Sequence, residues 1–297
     1  MNKTTVFTGT FLLLFSFQLF GQQTTSFTEA NLDFKNGQNF YDQGLYGQAM
    51  QEFNKVLEKL PPINDPESDL LRMKAELNKA KSAVRLDLPD GEKMMLAFIR
   101  KYRPDPMANK ALIDVADYYF NARKYDKAVE FYKMVPTYQL SGSEKAAVKF
   151  KMGYAHFVQK DFKEAKNHFY HIRQLNNSEY REKSNYYYGL CEFFEGNYPP
   201  AISAFKIAEK DPRYAKHIPY YLAQIYFAQK NYDELIRTVE PRLKTSGLKN
   251  QPELHGLVGQ AYFEKSNYPK ALYHLEKYAA GSNKLREDEF YQLGYTQ

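Results

Sequence analysis

The stretch Asn185–Pro212, NYYYGLCEFFEGNYPPAISAFKIAEKDP, reads as two short helices with a turn between them. Tyr186 to Glu195 places apolar and small residues on helical spacing, and Gly196-Asn197 breaks the run. Tyr198 follows, Pro199 brings a fixed φ suited to a first helical turn, and Ala201, Phe205 and Ala208 share one face. Neither helix is long enough, or apolar enough on one side only, to stand alone. The unit needs neighbours of its own kind.

The rest of the chain supplies them. Aligned on Gly189, a column of small residues runs through Gly37, Ser82, Ala116, Gly153, Gly189, Ala223, Gly259 and Gly294, with steps of 45, 34, 37, 36, 34, 36 and 35 residues. Nine residues further on stand Tyr46, Gly91, Tyr125, Phe162, Tyr198, Tyr232 and Tyr268. At 16% aromatic content, a random column of seven would hold about one aromatic, and this one holds six. Three beyond lie Ala49, Met94, Ala128, Ala165, Ala201, Leu235 and Ala271. Four beyond those lie Phe53, Phe98, Tyr132, Phe169, Phe205, Val239 and Leu275. Small residues let paired helices approach closely, and the aromatics are expected to fill the space between one pair and the next.

These columns resemble the tetratricopeptide repeat (TPR), a helix–turn–helix unit of about 34 residues with a W-x2-L-G-x2-Y…A-x3-F…P pattern. The resemblance covers about Ala30 to the end. It implies an all-α fold, a right-handed superhelical solenoid over residues 30–297, with seven repeats and the first helix of an eighth. The departures are specific. The chain has no Trp, Glu192 and His156 stand where the family usually has Tyr, and the second repeat carries Gly91 in its aromatic column. Pro106 still falls where the family's closing proline belongs.

Residues 1–21 read as a secretory signal: Lys3, an apolar run from Val6 to Phe20, then Gly21 before Gln22-Gln23. The run is shorter than the roughly 20 residues of a spanning helix, and a retained anchor is the other reading. A lipoprotein would need a Cys at the cut, whereas the only Cys is Cys191. Residues 22–29 form a short N-terminal segment. The expected location is the periplasm or cell envelope of a Gram-negative bacterium, with no transmembrane helix once the signal is removed. Cys191 has no intramolecular disulfide partner, and its helical neighbours Leu190 and Phe193 point to a buried, inert thiol. Leu60-Pro61-Pro62-Ile63-Asn64-Asp65-Pro66 reads as a rigid polar connection that accounts for the 45-residue step. Other connections are short, with a capping-box spacing from Ser141 to Glu144. At the other end, Arg286–Gln297 reproduces the start of a repeat, with Leu293-Gly294 in the Leu-Gly position. It reads as the N-terminal part of a longer protein.

The net charge of +6 is spread over most repeats rather than gathered on one face, the pattern of a solvated surface and not of a nucleic-acid footprint. No phosphate-cradling GxxxxGK[ST], GxSxG elbow, HExxH or CxxC is present. His168 and His171 could share a helix face but lack a third ligand, and are expected as surface residues. His156 falls in a core column. No catalytic residue, metal site or cofactor is expected, and the chain is read as non-enzymatic.

In TPR proteins the first helix of each pair lines a concave surface that commonly binds partners. The resemblance implies groove-facing positions three before, one after and four after the small-residue column. The site residues so assigned are Tyr154, Phe157, Tyr186, Phe193, Tyr220, Gln224, Phe227, Gln260 and Phe263. Phe34, Gln38, Tyr41 and Gly256 occupy the same register. Aromatics with amides between them suit extended peptides, helices or glycan strands. The expectation is an exported scaffold binding protein or peptide partners of the envelope. The alternative is a solenoid arm that binds polysaccharide, or that carries a catalytic or peptidoglycan-anchoring domain beyond residue 297.

Overall fold

A helix that ends without a partner for its last carbonyls needs a turn that supplies one, and this chain uses one device for it repeatedly. After each first helix, one residue takes a left-handed φ: Gly44 (78°), Asp87 (54°), Arg123 (59°), Lys160 (62°), Gly196 (77°), Lys230 (54°) and Ser266 (58°). The amide that follows bonds back five residues, as in Leu45 to Phe40 (2.8 Å), Asn197 to Glu192 (2.8 Å) and Asn267 to Tyr262 (2.9 Å). This is the Schellman closure. It fixes where the second helix begins.

The computed structural model describes residues 7–60, 65–175, 178–281 and 287–296, with the backbone alone for residues 7–24 and 287–290. Among the described residues the regular structure is sixteen α-helices and two 3₁₀ turns, with no strand. They fall into two compact units, residues 1–139 and 140–297.

The first unit holds three pairs. They are α1 (Phe7–Asp42) with α2 (Tyr46–Lys59), α3 (Pro66–Arg85) with α4 (Gly91–Tyr102), and α5 (Pro106–Asn121) with α6 (Tyr125–Lys133). The backbone of α1 runs unbroken through the expected cleavage region near Gly21. The first six residues of the expected signal lie outside the described residues. Among the described residues no helix is long and apolar enough to cross a membrane.

The long first step has a second cause beside the connection, of which residues 61–64 lie outside the described residues. Ser82 is the seventeenth residue of α3, whereas Ala116 is the eleventh of α5. The extra residues extend the helix. Gly91 is likewise explained by contact. A Cβ there would lie 2.8 Å from the carbonyl of Ala83, so α4 can start against the backbone of α3 only with glycine. Pro106 opens α5, and the Asp105 side chain accepts the Met107 amide at 2.7 Å.

The second unit holds α7 (Gly142–Val158) with α8 (Phe162–Arg173), and α9 (Arg181–Phe194) with α10 (Tyr198–Ala208). A single-turn α11 (Pro212–Ala215) precedes α12 (Ile218–Ala228) with α13 (Tyr232–Val239), then α14 (Gln251–Glu264) with α15 (Tyr268–Gly281), and α16 (Glu287–Thr296). Ser141 and Glu144 form the expected capping box on α7.

Packing ties the columns together inside each pair. A Cβ added to Gly37, Gly153, Gly189 or Gly259 would meet Phe53, Phe169, Phe205 or Leu275 at 2.7, 2.7, 2.8 and 2.9 Å. Each of these bulky residues lies sixteen positions after its glycine, on the partner helix of the same pair. The expectation that the aromatics fill space between pairs holds for Phe169 and Phe205, which also stack on Tyr187 and Tyr221 of the next pair at 5.9 and 5.5 Å, and to it is added this seat on the glycine of their own pair. The nine-after column provides the first residue of every second helix, from Tyr46 to Tyr268.

Candidate functional site

The faces of α12 and α14 that follow from these pairings meet at a cavity of about 390 Å³ in the second unit. Tyr220, Gln224 and Phe227 come from α12, and Glu253, Gly256, Leu257 and Gln260 from α14. Tyr278 of α15 completes the lining. The volume lies within the range of small-ligand pockets. Gly256 is small for a reason, since a Cβ there would stand 3.1 Å from the Tyr278 ring.

Two amides give the cavity its chemistry. Gln224 and Gln260 each stand one residue after the small-residue column, so successive pairs place them on the same face. Gln260 is only 5% exposed, and neither amide has a hydrogen-bond partner among the described residues. An occupant that covered these amides without pairing them would incur about 1–3 kcal/mol. Such amides are suited to a partner from outside the chain. The only formal charge in the lining is Glu253, exposed at the rim and without an ion-pair partner among the described residues.

The nine residues assigned from sequence divide three ways. Tyr220, Gln224, Phe227 and Gln260 are brought together in this cavity. Tyr154, Phe157, Phe193 and Phe263 are half-buried and packed on neighbouring rings. Tyr154 and Phe157 each lie 5.2 Å from Tyr187, Phe193 lies 5.4 Å from Tyr221, and Phe263 lies 5.7 Å from Tyr268. Phe157 also lines a second cavity of about 490 Å³, with Val158, Lys160, Phe162 and Phe194. Tyr186 is placed in the core rather than on a groove. It is 8% exposed and stacks on Tyr214 at 4.4 Å, and burial raises its pKa well above the ordinary tyrosine value. Glu253, Leu257 and Tyr278 were missed by sequence reasoning. The small residue Gly256, in groove register, was the available sign that a large side chain lay over it.

In the first unit the corresponding positions are tied up by polar contacts that the sequence did not disclose. The Arg85 guanidinium lies 5.1, 5.6 and 5.5 Å from the rings of Tyr41, Tyr46 and Tyr118, and its Nε donates to the Tyr41 hydroxyl at 2.6 Å. Asn78 donates to Gln38 at 3.2 Å, and Lys81 pairs with Asp114.

The remaining chemistry-bearing residues are accounted for by packing. Cys191 is buried, and desolvation pushes its thiol up to about 12. His168 is half-buried and stacked on His156 at 5.5 Å, not a surface residue as expected, whereas His171 is exposed. Among the described residues no group of three His, Cys, Asp or Glu could hold a metal ion. Glu192 is buried yet holds its pKa below the usual glutamate value. Burial alone would raise it, and hydrogen bonds from Tyr188, Asn197 and Lys166 outweigh that.

Opposite the cavity, α14 joins a chain of hydrogen bonds. His255 Nδ1 and His274 Nδ1 are 2.9 Å apart, and His274 Nε2 faces Glu240 at 3.4 Å. Tyr262 donates to the same carboxylate at 2.7 Å, and Lys270 donates to the Tyr262 hydroxyl at 3.1 Å. With an Nε2 proton toward Glu240, His274 accepts from His255 through Nδ1, so this contact requires a neutral His274. Burial, and then the mutual repulsion of the rings and of Lys277, lowers the pKa of His255. Burial lowers that of His274, against the attraction of Glu240. Folded values below the ordinary 6.5 mean that the unfolded chain binds more protons in that window. The stability tied to neutral His255 and His274 is therefore full above about pH 6.5 and lost as the pH falls through the folded values. Thermal melting from about pH 7.5 to about pH 5 should show a steeper loss of Tm in the natural chain than in His274→Gln. Equal slopes would assign the acid sensitivity elsewhere.

No family model and no curated protein matches the sequence. Solved structures do resemble the fold. The C-terminal part of a TPR repeat-containing protein from Cytophaga hutchinsonii aligns with a TM-score of 0.58 at 15% identity, covering 88% of this chain and 99% of that one. The apo form of RapI aligns at 0.54 and 14% identity, covering 92% and 84%. A TPR protein from Parabacteroides merdae covers 92% and 99% at 17% identity, with a TM-score of 0.47. The chain has the all-α TPR fold.

Proposed function

We propose that this chain is an exported, non-enzymatic TPR scaffold that holds protein or peptide partners of the cell envelope against the α12–α14 face. The observation that carries the reading is the cavity of about 390 Å³ in which Gln260, 5% exposed, lacks a hydrogen-bond partner among the described residues. Tyr220 and Phe227 add aromatic surface that anchors an extended chain, while the amides pair with its backbone. The apolar run of residues 6–20 behind Lys3 supports export.

The test takes peptides selected from a displayed random library on purified residues 22–297 and titrates them calorimetrically. Tyr220→Ala should weaken binding by about 1–3 kcal/mol, the range of an aromatic anchor at an interface, with the melting temperature nearly unchanged. Unaltered affinity in Tyr220→Ala and Gln224→Ala would place binding on another face. Binding of added glycan strands, with no peptide selected from the library, would favour a polysaccharide-holding arm.

A further inference from the structure

The chemistry of the cavity selects among the side chains that a bound segment could offer. Every polar group in its lining can accept a hydrogen bond: the Glu253 carboxylate, the Gln224 and Gln260 carbonyls and the tyrosine hydroxyls. No Lys or Arg lines it. Tyr220, Phe227 and Tyr278 contribute aromatic rings, whose negative faces attract cations. A carboxylate entering here would meet Glu253 with no cation to offset it. A purely apolar side chain would bury the Gln260 amide without a partner.

A cation with several donors satisfies all of these groups at once, and arginine does so better than lysine. Its guanidinium is planar, stacks on aromatic faces, is weakly hydrated and presents five donors in a fixed fork. The same chain already holds arginine in this way. The Arg173 guanidinium lies 4.1 Å from the Tyr188 ring centroid, and its Nε donates to the Asn185 amide oxygen at 3.1 Å. Arg85 lies against three tyrosines with its Nε on a tyrosine hydroxyl. Tyrosine faces with an amide or hydroxyl oxygen are thus an arginine cradle twice over in this protein, and in the α12–α14 cavity those elements stand together without an arginine.

We propose that the α12–α14 cavity is a specificity pocket for an arginine side chain of the bound segment. The guanidinium stacks among the aromatic rings, donates to Gln224 and Gln260, and pairs with Glu253 at the rim. This rests on the reading that the α12–α14 face binds partner segments.

The test titrates four probes, acetyl-Gly-Xaa-Gly-amide with Xaa as Arg, Lys, Glu or Leu, against isotope-labelled residues 22–297. It follows the side-chain NH2 resonances of Gln224 and Gln260. The arginine probe should shift both saturably and bind on the order of tenfold tighter than the glutamate or leucine probe, with lysine between. Glu253→Gln should weaken the arginine probe several-fold, and more at low than at high salt. Gln260→Leu, close in volume, should weaken it while melting within a few degrees of the natural chain. Glu253 is exposed, so its variant reports on the pocket even if the Gln260 variant fails to fold.

Equal or tighter binding of the glutamate probe would overturn the assignment, as would arginine binding indifferent to both substitutions. Failure of the scaffold reading looks different. If library peptides lose affinity in Tyr220→Ala but carry no arginine and ignore Glu253→Gln, the face binds partners and the arginine pocket is wrong. If the arginine probe enters the cavity and no peptide binds, the pocket stands and the scaffold reading falls.

Discussion

Replacing Phe205 with alanine should lower the stability of the second unit by about 3–5 kcal/mol, the usual cost of truncating a large buried aromatic. Phe205 is fully buried, and its ring lies over Gly189, where a Cβ would come within 2.8 Å. It stacks on Tyr221 of the following pair at 5.5 Å and 18°, and meets Tyr186 at 6.4 Å. The loss therefore opens both the seat within one pair and the contact to the next. In a repeat array each unit is stabilised by its neighbours, so damage at this junction removes an interface as well as a side chain. Urea denaturation followed by circular dichroism should show a lowered midpoint or a new early transition. A loss below about 1 kcal/mol would mean that the glycine column tolerates an empty seat by collapse of the helices.

The repeat was legible because one contact governs two columns. Wherever a glycine stands in the small-residue column of a complete pair, a bulky residue sixteen positions later lies on it, from Gly37 and Phe53 to Gly259 and Leu275. The spacing between columns is thus a packing constraint, and it survives the absence of Trp. What stayed hidden depends on geometry that spacing does not carry. The left-handed residue of the Schellman turn is glycine only at Gly44 and Gly196, so five of the seven turns announce nothing in composition. The second pair hid its register because α3 is longer and its turn brings Gly91 against the Ala83 carbonyl. With that register went Lys81 and Arg85. Within the site, four of the nine assigned residues meet in one cavity: Gln224 and Gln260 from the one-after position of successive first helices, Tyr220 from three before and Phe227 from four after. The four-after ring is also engaged across the turn, even where, as Phe227, it lines the cavity. The aromatic that opens the second helix stands five positions on, and across the turn the two rings pack, as in Phe227 with Tyr232 and Phe263 with Tyr268, both at 5.7 Å. Tyr278 sits near the end of α15, outside every column of the repeat, and only its contact with Gly256 reveals it.

Tyr186 separates packing from recognition within a single register. It occupies the three-before position, the same as Tyr220, yet the two tyrosines should respond oppositely to truncation. Tyr186 is stacked 4.4 Å from Tyr214, edge-on to Tyr187 at 5.3 Å and within 6.4 Å of Phe205, His217 and Tyr221. The inserted α11 is the physical cause, because it carries Tyr214 across the face that the register would leave open. Tyr186→Ala should cost about 3–5 kcal/mol of stability, as for other large buried aromatics. Tyr220 is half-buried at the cavity wall, and Tyr220→Ala should cost only about 1 kcal/mol. Because Tyr186 and Phe205 touch, their double variant should be less destabilised than the sum of the singles, with a coupling of about 0.5–3 kcal/mol. Tyr186 with Tyr220 should be close to additive by comparison. Should Tyr186→Ala melt like the natural chain and lose peptide affinity as Tyr220→Ala does, the stack on Tyr214 would not be structural, and the groove would extend to α9.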